Sequence, residues 1–347
     1  MEIRLATDTD KNSWDAYVLQ HSDGLAYQLF AWRQAVKKAY GYEAHYLLAE
    51  KDNNVCGVLP LVDFRIPFLG STLISLPYCD AGGVLADSDE IEQQLLNAAL
   101  DLTKKTGMKC HIRSTQSLLI DRENTTDKVR MLLTLPENSE LFLASIRSKL
   151  RNKINKPLKH GYRVEIGSSE LIEAFYSIFV VNMHELGSPV HSRRWIEAIV
   201  SEYHEKVRIG VVFTPDGMPV AAGMILLHPT TISNPWASSL REYGHMKPNM
   251  LLYSTLLSFA ADNGYKQFDF GRSSLGGGTY LFKEQWGAQP SKLYWYDDIG
   301  NVKQTYQPQS YSSDRTGCRS MAVRMWQQLP ATGANWLGPR IRRYISL

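Results

Sequence analysis

Two stretches of this chain repeat one order of elements about 158 positions apart, and that repeat constrains the fold more than any bulk property. A strand, the polar turn Asp52-Asn53-Asn54 and a strand carrying Cys56-Gly57-Val58 are matched by a strand, the turn Pro215-Asp216-Gly217 and a strand carrying Ala222-Gly223-Met224. Ile74-Ser75-Leu76-Pro77-Tyr78 is echoed by Ile232-Ser233-Asn234-Pro235-Trp236. The helical patterns that follow end at Gly107 and Gly264, and each leads through a lysine, Lys109 or Lys266, into another strand. Agreement in order as well as spacing reads as two similar domains in tandem. Helical patterns at 12–19, 30–39, 90–106, 139–160, 170–186, 192–203 and 249–263 alternate with strand patterns, which argues α/β or α+β.

The length of 347 residues agrees with two domains rather than one core. Boundaries are expected at 1–140 for the first domain, 141–300 for the second, which opens on a basic linker helix at 141–160, and 301–347 for a basic tail. Residues 1–17 lack the apolar stretch of a signal peptide, and no run reaches the roughly 18 apolar residues of a membrane span. Cys56, Cys79, Cys110 and Cys318 have no ligand-like spacing, so reduced thiols, no metal and a cytoplasmic location are expected. The net charge of +3 is uneven: after residue 300 seven basic residues, Lys303 among them, face the single acid Asp314. Such a tail can touch nucleic acid or an anionic membrane surface. The plainer expectation is that Trp326, Leu329, Trp336 and Leu337 pack on the body and leave the arginines solvated.

Chemistry concentrates between Trp236 and Trp295. A short apolar strand at 266–269 ends at Asp269, followed by Phe270-Gly271-Arg272-Ser273, three glycines at 276–278, and Tyr280-Leu281-Phe282-Lys283. A carboxylate and a guanidinium at a sheet edge, beside glycines that let backbone amides approach a ligand, point to an anionic or carbonyl-bearing substrate. The bland alternative is a flexible loop with an ordinary pair between Asp269 and Arg272. Upstream, five cations lie between Arg147 and Lys156, enough to hold a diphosphate if they are not simply a solvated helix face. Pro157 is expected to kink that helix or start a new segment.

These motifs, taken in series, resemble the FemAB family. Lys149-Leu150-Arg151-Asn152-Lys153-Ile154 resembles its basic linker helix, and Tyr280-Leu281-Phe282-Lys283-Glu284-Gln285-Trp286-Gly287 its closing aromatic–lysine motif. Gly57-Val58-Leu59-Pro60-Leu61, Asn182-Met183-His184-Glu185-Leu186-Gly187 and Pro248-Asn249-Met250-Leu251-Leu252-Tyr253 resemble the branch associated with exosortase and PEP-CTERM exopolysaccharide systems. The resemblance implies two tandem GNAT-like acyltransferase domains and a helical C-terminal tail. It implies an acyltransferase, an aminoacyltransferase or a BioF2-like N-acetyltransferase. The donor would be acyl-CoA or aminoacyl-tRNA with no tightly bound cofactor, and the acceptor a small-molecule, lipid- or nucleotide-linked glycan or peptide, not DNA.

On this resemblance Arg151, with Arg147, would meet acceptor phosphates, and Lys283 would lie at the reacting groups. Asp269 or Glu185 is the candidate proton acceptor, with His184 and His245 as lesser ones. Arg272, Phe282, Tyr280, Tyr253 and Trp286 are candidate substrate contacts. Arg241, Gly244 and His245 half match a GNAT pyrophosphate loop in which Met246 stands where a small residue is expected. No arm for tRNA is inserted. A second reading, from a different class, is a catalytically silent binding protein of an exopolysaccharide complex.

Overall fold

The computed structural model describes residues 1–120, 122–300 and 313–347, the last segment with side chains from residue 321 onward. Among the described residues three sheets carry the fold. Two have four strands each: Glu2–Leu5, Leu47–Lys51, Asn54–Leu59 and Leu85–Ala86 form one, and Tyr294–Tyr296, Lys109–Ser114, Gly70–Ile74 and Val62–Ile66 the other. The third has seven strands in the order Gln289–Lys292, Lys128–Thr134, Gln267–Ser274, Thr231–Ser239, Pro219–Leu227, Val207–Phe213 and Arg163–Gly167.

The repeat read from the sequence is a repeat of topology. In the first half Gly70–Ile74 and Lys109–Ser114 run parallel, Thr72 opposite Lys109, joined through the helix Asp89–Thr106. In the second half Thr231–Ser239 and Gln267–Ser274 run parallel, Thr231 opposite Gln267, joined through the helix Pro248–Asp262. Gly107 ends the first helix in the left-handed region at φ 70°, and Gly264 follows the second at φ 79°. Both hairpins form as read. Asp52 and Asn53 each take positive φ, the geometry of a tight two-residue turn, and Gly217 does so in the second.

Pairing crosses between the halves. Lys128–Thr134 lies between Gln267–Ser274 and Gln289–Lys292 and is antiparallel to both. Tyr294–Tyr296 returns to pair with Lys109–Ser114. The largest hydrophobic cluster also spans both halves: Trp14, Trp32 and Tyr46 share it with Phe175, Phe179 and Trp195. The helix Phe30–Tyr40 packs there on Arg193–Tyr203, with the Trp32 and Trp195 rings edge to face at 5.2 Å.

Several expectations are corrected. The helix read at 139–160 is two helices, Ser139–Ser145 and Ser148–Lys159. Ile146 is buried and Arg147 is extended at ψ 143°, so the chain turns to sink Ile146 into the core. Pro157 sits inside the second helix, two residues before its end, and does not start a new segment. The strand read at 266–269 runs on to Ser274 through an irregular register between Asp269 and Arg272. In the tail Trp336 is 62% exposed, with the Arg340 guanidinium 4.0 Å above its ring. Arg342 and Arg343 turn inward instead of being solvated. The Arg342 guanidinium lies over the Tyr78 ring and Arg343 donates to the Tyr40 carbonyl. Lys303 lies outside the described residues. Cys56, Cys79 and Cys110 are buried free thiols, and among the described residues no helix is long and apolar enough to cross a membrane.

Candidate active site

The strand Gln267–Ser274 bulges where Gly271 adopts φ 74°, a conformation that favours glycine. The bulge is pinned from two sides. Asp269 accepts from the Gly271 N–H at 2.8 Å, and Asp80, from the first half, accepts from the Arg272 N–H at 3.0 Å. The Gly271 and Arg272 carbonyls therefore converge on one donor, the Lys283 ammonium, at 2.9 and 2.8 Å. Lys283 comes from the short helix Gly278–Glu284, entered through the glycines 276–278. It is 8% exposed, and burial pushes its ammonium down to about 8. Asp80 and Asp269 act against that shift, whereas Arg272 adds to it. An ammonium has three donors, so two carbonyls leave one N–H for a substrate oxygen.

The pair between Asp269 and Arg272 that the plainer alternative called for does not form. Asp269 pairs with Arg130 on the neighbouring strand at 3.1 Å, and Arg272 pairs with Asp80 at 3.2 Å. The irregular register separates Asp269 from Arg272, so each finds its counter-charge on another element. Trp295 donates its indole N–H to the Asp80 carbonyl at 2.9 Å, and the Arg113 and Arg272 guanidinium carbons lie 5.6 and 5.8 Å from its ring centre. Arg113 is buried and burial lowers it to about 10. It donates to the Leu76 and Cys79 carbonyls and to Ser346, through both its carbonyl and hydroxyl. Ser346 is thus held against Arg113 of the first half. Ser346 also accepts from the Tyr78 N–H, and the Arg343 carbonyl accepts from the Tyr42 and Tyr78 hydroxyls.

An aromatic wall continues from Lys283. The Tyr253 ring stacks on Phe270 at 5.4 Å and meets Phe282 edge-on at 5.1 Å and Trp286 at 6.3 Å. Its hydroxyl donates to Asn234 Oδ1, and the Asn234 amide holds the Met224 and Trp236 carbonyls. Tyr280 is half-buried against the same cluster.

Other candidates gather around the loop Arg241–Met246. Arg241 lies 3.8 Å from the Glu185 carboxylate, which also accepts from Asn182. Lys156 donates to the His245 carbonyl, and Lys153 to Gln285, so the basic helix Ser148–Lys159 joins this loop to the end of the Lys283 helix. Gly244 has open space where a side chain would stand, and Met246 is buried. Arg151 is exposed but spends one nitrogen on the carbonyls of Leu143, Ala144 and Ile146, closing the end of Ser139–Ser145. Arg147 is exposed. His245 contacts the Glu242 carbonyl and His184 the Leu329 carbonyl.

Residues 144–284 match the family model described as an acetyltransferase (GNAT) domain. A lipid II:glycine glycyltransferase of Staphylococcus aureus (strain COL) is 24% identical over 221 residues, covering 55% of this chain and 50% of that protein. The chain therefore spans about half the length of the curated relatives it matches. Among solved structures it is similar to FemX, with a TM-score of 0.66 at 17% identity, over 86% of this chain and 96% of that one. It is also similar to L-PGS from Bacillus licheniformis, with a TM-score of 0.57 at 10% identity over 94% and 99% of the two chains. A tandem GNAT protein from the clavulanic acid biosynthesis pathway gives 0.52 at 11% identity over 86% and 98%. These likenesses establish the fold as mixed α/β and GNAT-like, with a helical C-terminal region.

Proposed function

We propose that the protein is an N-acyltransferase of the FemAB/GNAT type. It moves an acyl or aminoacyl group from acyl-CoA or aminoacyl-tRNA to an amine of a sugar- or peptide-linked acceptor, in cell-envelope or exopolysaccharide biosynthesis. The observation that carries this reading is a buried ammonium with one uncommitted N–H, held by two backbone carbonyls where the halves meet. The named activity of the glycyltransferase relative agrees with it.

In the reaction the acceptor amine attacks the donor carbonyl and a C–N bond forms. The C–O or C–S bond to the carrier then breaks. The proton lost by the amine leaves with the departing hydroxyl or thiol, so no strong base is required. Lys283 donates its third N–H to the carbonyl oxygen as charge gathers there, an effect worth about 3 kcal/mol for a single donor of this kind. Asp269 and Asp80 position the bulge and keep Lys283 charged; both carboxylates are already occupied by donors. Tyr253, Phe282 and Trp286 exclude water from the same region. Arg241, Gly244 and His245, beside Lys156, are assigned to the donor's phosphates, and the exposed Arg147 and Arg151 to those of the acceptor.

Acetyl-CoA and glycyl-tRNA, each offered with amino-sugar and peptide acceptors, test the proposal by mass spectrometry of the products. A new amide with either donor, lost in Lys283→Ala, is the expected result; full transfer by that variant overturns the role of Lys283. The silent binding reading draws on the chain's own residues, since Ser346 occupies the Arg113 guanidinium. It requires ligand retention without turnover.

A further inference from the structure

A cavity lies between the halves, and none of the candidate acyl-transfer residues lines it. It is open to solvent on one side and has a volume of about 420 Å³, within the usual size range of small-molecule sites. The loop around Gly24 and the segment at 115–117 form one side. Strands of the seven-stranded sheet form the other, through Arg130, Thr231, Gln267 and Ser291. The walls are mainly hydroxyl and amide groups, unlike the aromatic wall beside Lys283. Asp23, on the exposed rim, is the acid among the lining residues.

Arg130 is the charged group of the interior. It is 8% exposed, its Nη2 is held by Asp269, and its Nε is enclosed without a hydrogen-bond partner. The Nε has no surface to offer the cavity, so the Nη donors are the part of the guanidinium that lines it. Two carboxylate or phosphate oxygens match the fork of an arginine, and the surrounding hydroxyls and amides match sugar-like hydroxyls.

We infer that this cavity is a binding site for a small hydroxylated anion, a sugar acid or sugar phosphate in size, whose charged group seats on Arg130. Asp269 links it to Lys283: one carboxylate oxygen meets Arg130, and the other holds the bulge whose Gly271 carbonyl receives Lys283. The inference stands apart from acyl transfer, since its readout is equilibrium binding.

Isothermal titration with glucuronate, glucose 1-phosphate and neutral glucose tests it on the full chain. One or both charged sugars bind and glucose binds at least about tenfold more weakly. Whichever anion binds more tightly assigns the site to carboxylate or phosphate. Arg130→Gln weakens the charged probe by about ten- to a hundredfold. Because that change also strips Asp269 of its partner, Gln116→Trp provides a second variant. Residue 116 is exposed at the cavity, and an indole there blocks the space without touching the Asp269 pair. Lys283→Ala leaves binding unchanged. No binding of either anion at about 10 mM, equal affinity for glucose, or unchanged affinity in both cavity variants overturns the inference.

Discussion

Lys283→Met separates the charge of the buried lysine from its shape. In the folded protein burial brings the ammonium to about 8, against 10.5 for a free lysine. Below pH 8 both folded and unfolded chains hold the proton, and the folded state bears the full desolvation cost, about 3 kcal/mol for a shift of this size. Between about pH 8 and 10.5 the unfolded chain binds more protons than the folded one, so stability rises with pH. Integrated from pH 7 to pH 10, this one group contributes a gain of about 2.5 kcal/mol. Methionine removes that gain and leaves the Gly271 and Arg272 carbonyls without their donor, a cost of about 1–3 kcal/mol that does not vary with pH. Urea unfolding of both proteins at pH 7 and pH 10 isolates the effect, because every other titrating group is shared. The wild type gains about 2.5 kcal/mol relative to the variant. Parallel pH dependences would mean that the ammonium is not held dry, and its proposed catalytic charge would fall with it. The same titration governs activity: transfer declines as pH rises through about 8, where Lys283 loses the proton it donates.

Asp80→Asn removes a charge that holds the Lys283 ammonium up, so the alkaline limb of the pH–rate profile moves to lower pH. Gly271→Ala places a side chain at φ 74°, near Asp80, and costs about 1–2 kcal/mol in thermal unfolding, with a larger relative loss of kcat. Trp32→Ala, at the packed boundary of the halves, costs about 3–5 kcal/mol in urea unfolding and leaves one cooperative transition for both halves. Truncation after Arg342 removes the Ser346 contacts of Arg113 and the Arg343 contacts of Tyr42 and Tyr78. It lowers the midpoint of thermal unfolding and increases amide exchange at Tyr78.

What the sequence disclosed was what local chemistry decides. Asp52-Asn53 and Pro215-Asp216-Gly217 turn the chain wherever they stand, and Gly107 and Gly264 stop their helices by backbone geometry alone. The repeat was legible because paired strands and crossover helices fix their own spacing. Lys283 stood out through its neighbours Tyr280 and Phe282, and Asp269 and Arg272 through their place on the strand before it, but the counter-charges of that pair did not. Asp80, Arg113, Arg130 and Trp295 come to surround Asp269 and Arg272 through pairings between distant segments. Asp80 was within reach of the repeat, two residues past the Tyr78 that aligns with Trp236. The single helix read at 139–160 failed because polar periodicity continues across Ile146, whose burial breaks the backbone. Trp336 failed because a stacked arginine can shelter an indole without the body of the protein.

Lys128–Thr134 precedes the GNAT-matched stretch yet occupies the interior of that stretch's sheet. Excising 141–300 as an independent fragment would leave Gln267–Ser274 with a bare hydrogen-bonding edge, inviting self-association. Swapping halves between relatives at a cut near residue 140 would graft a foreign seam into the sheet itself. A working chimera has to carry the segment from Lys128 with its acceptor sheet, and Tyr294–Tyr296 with the other.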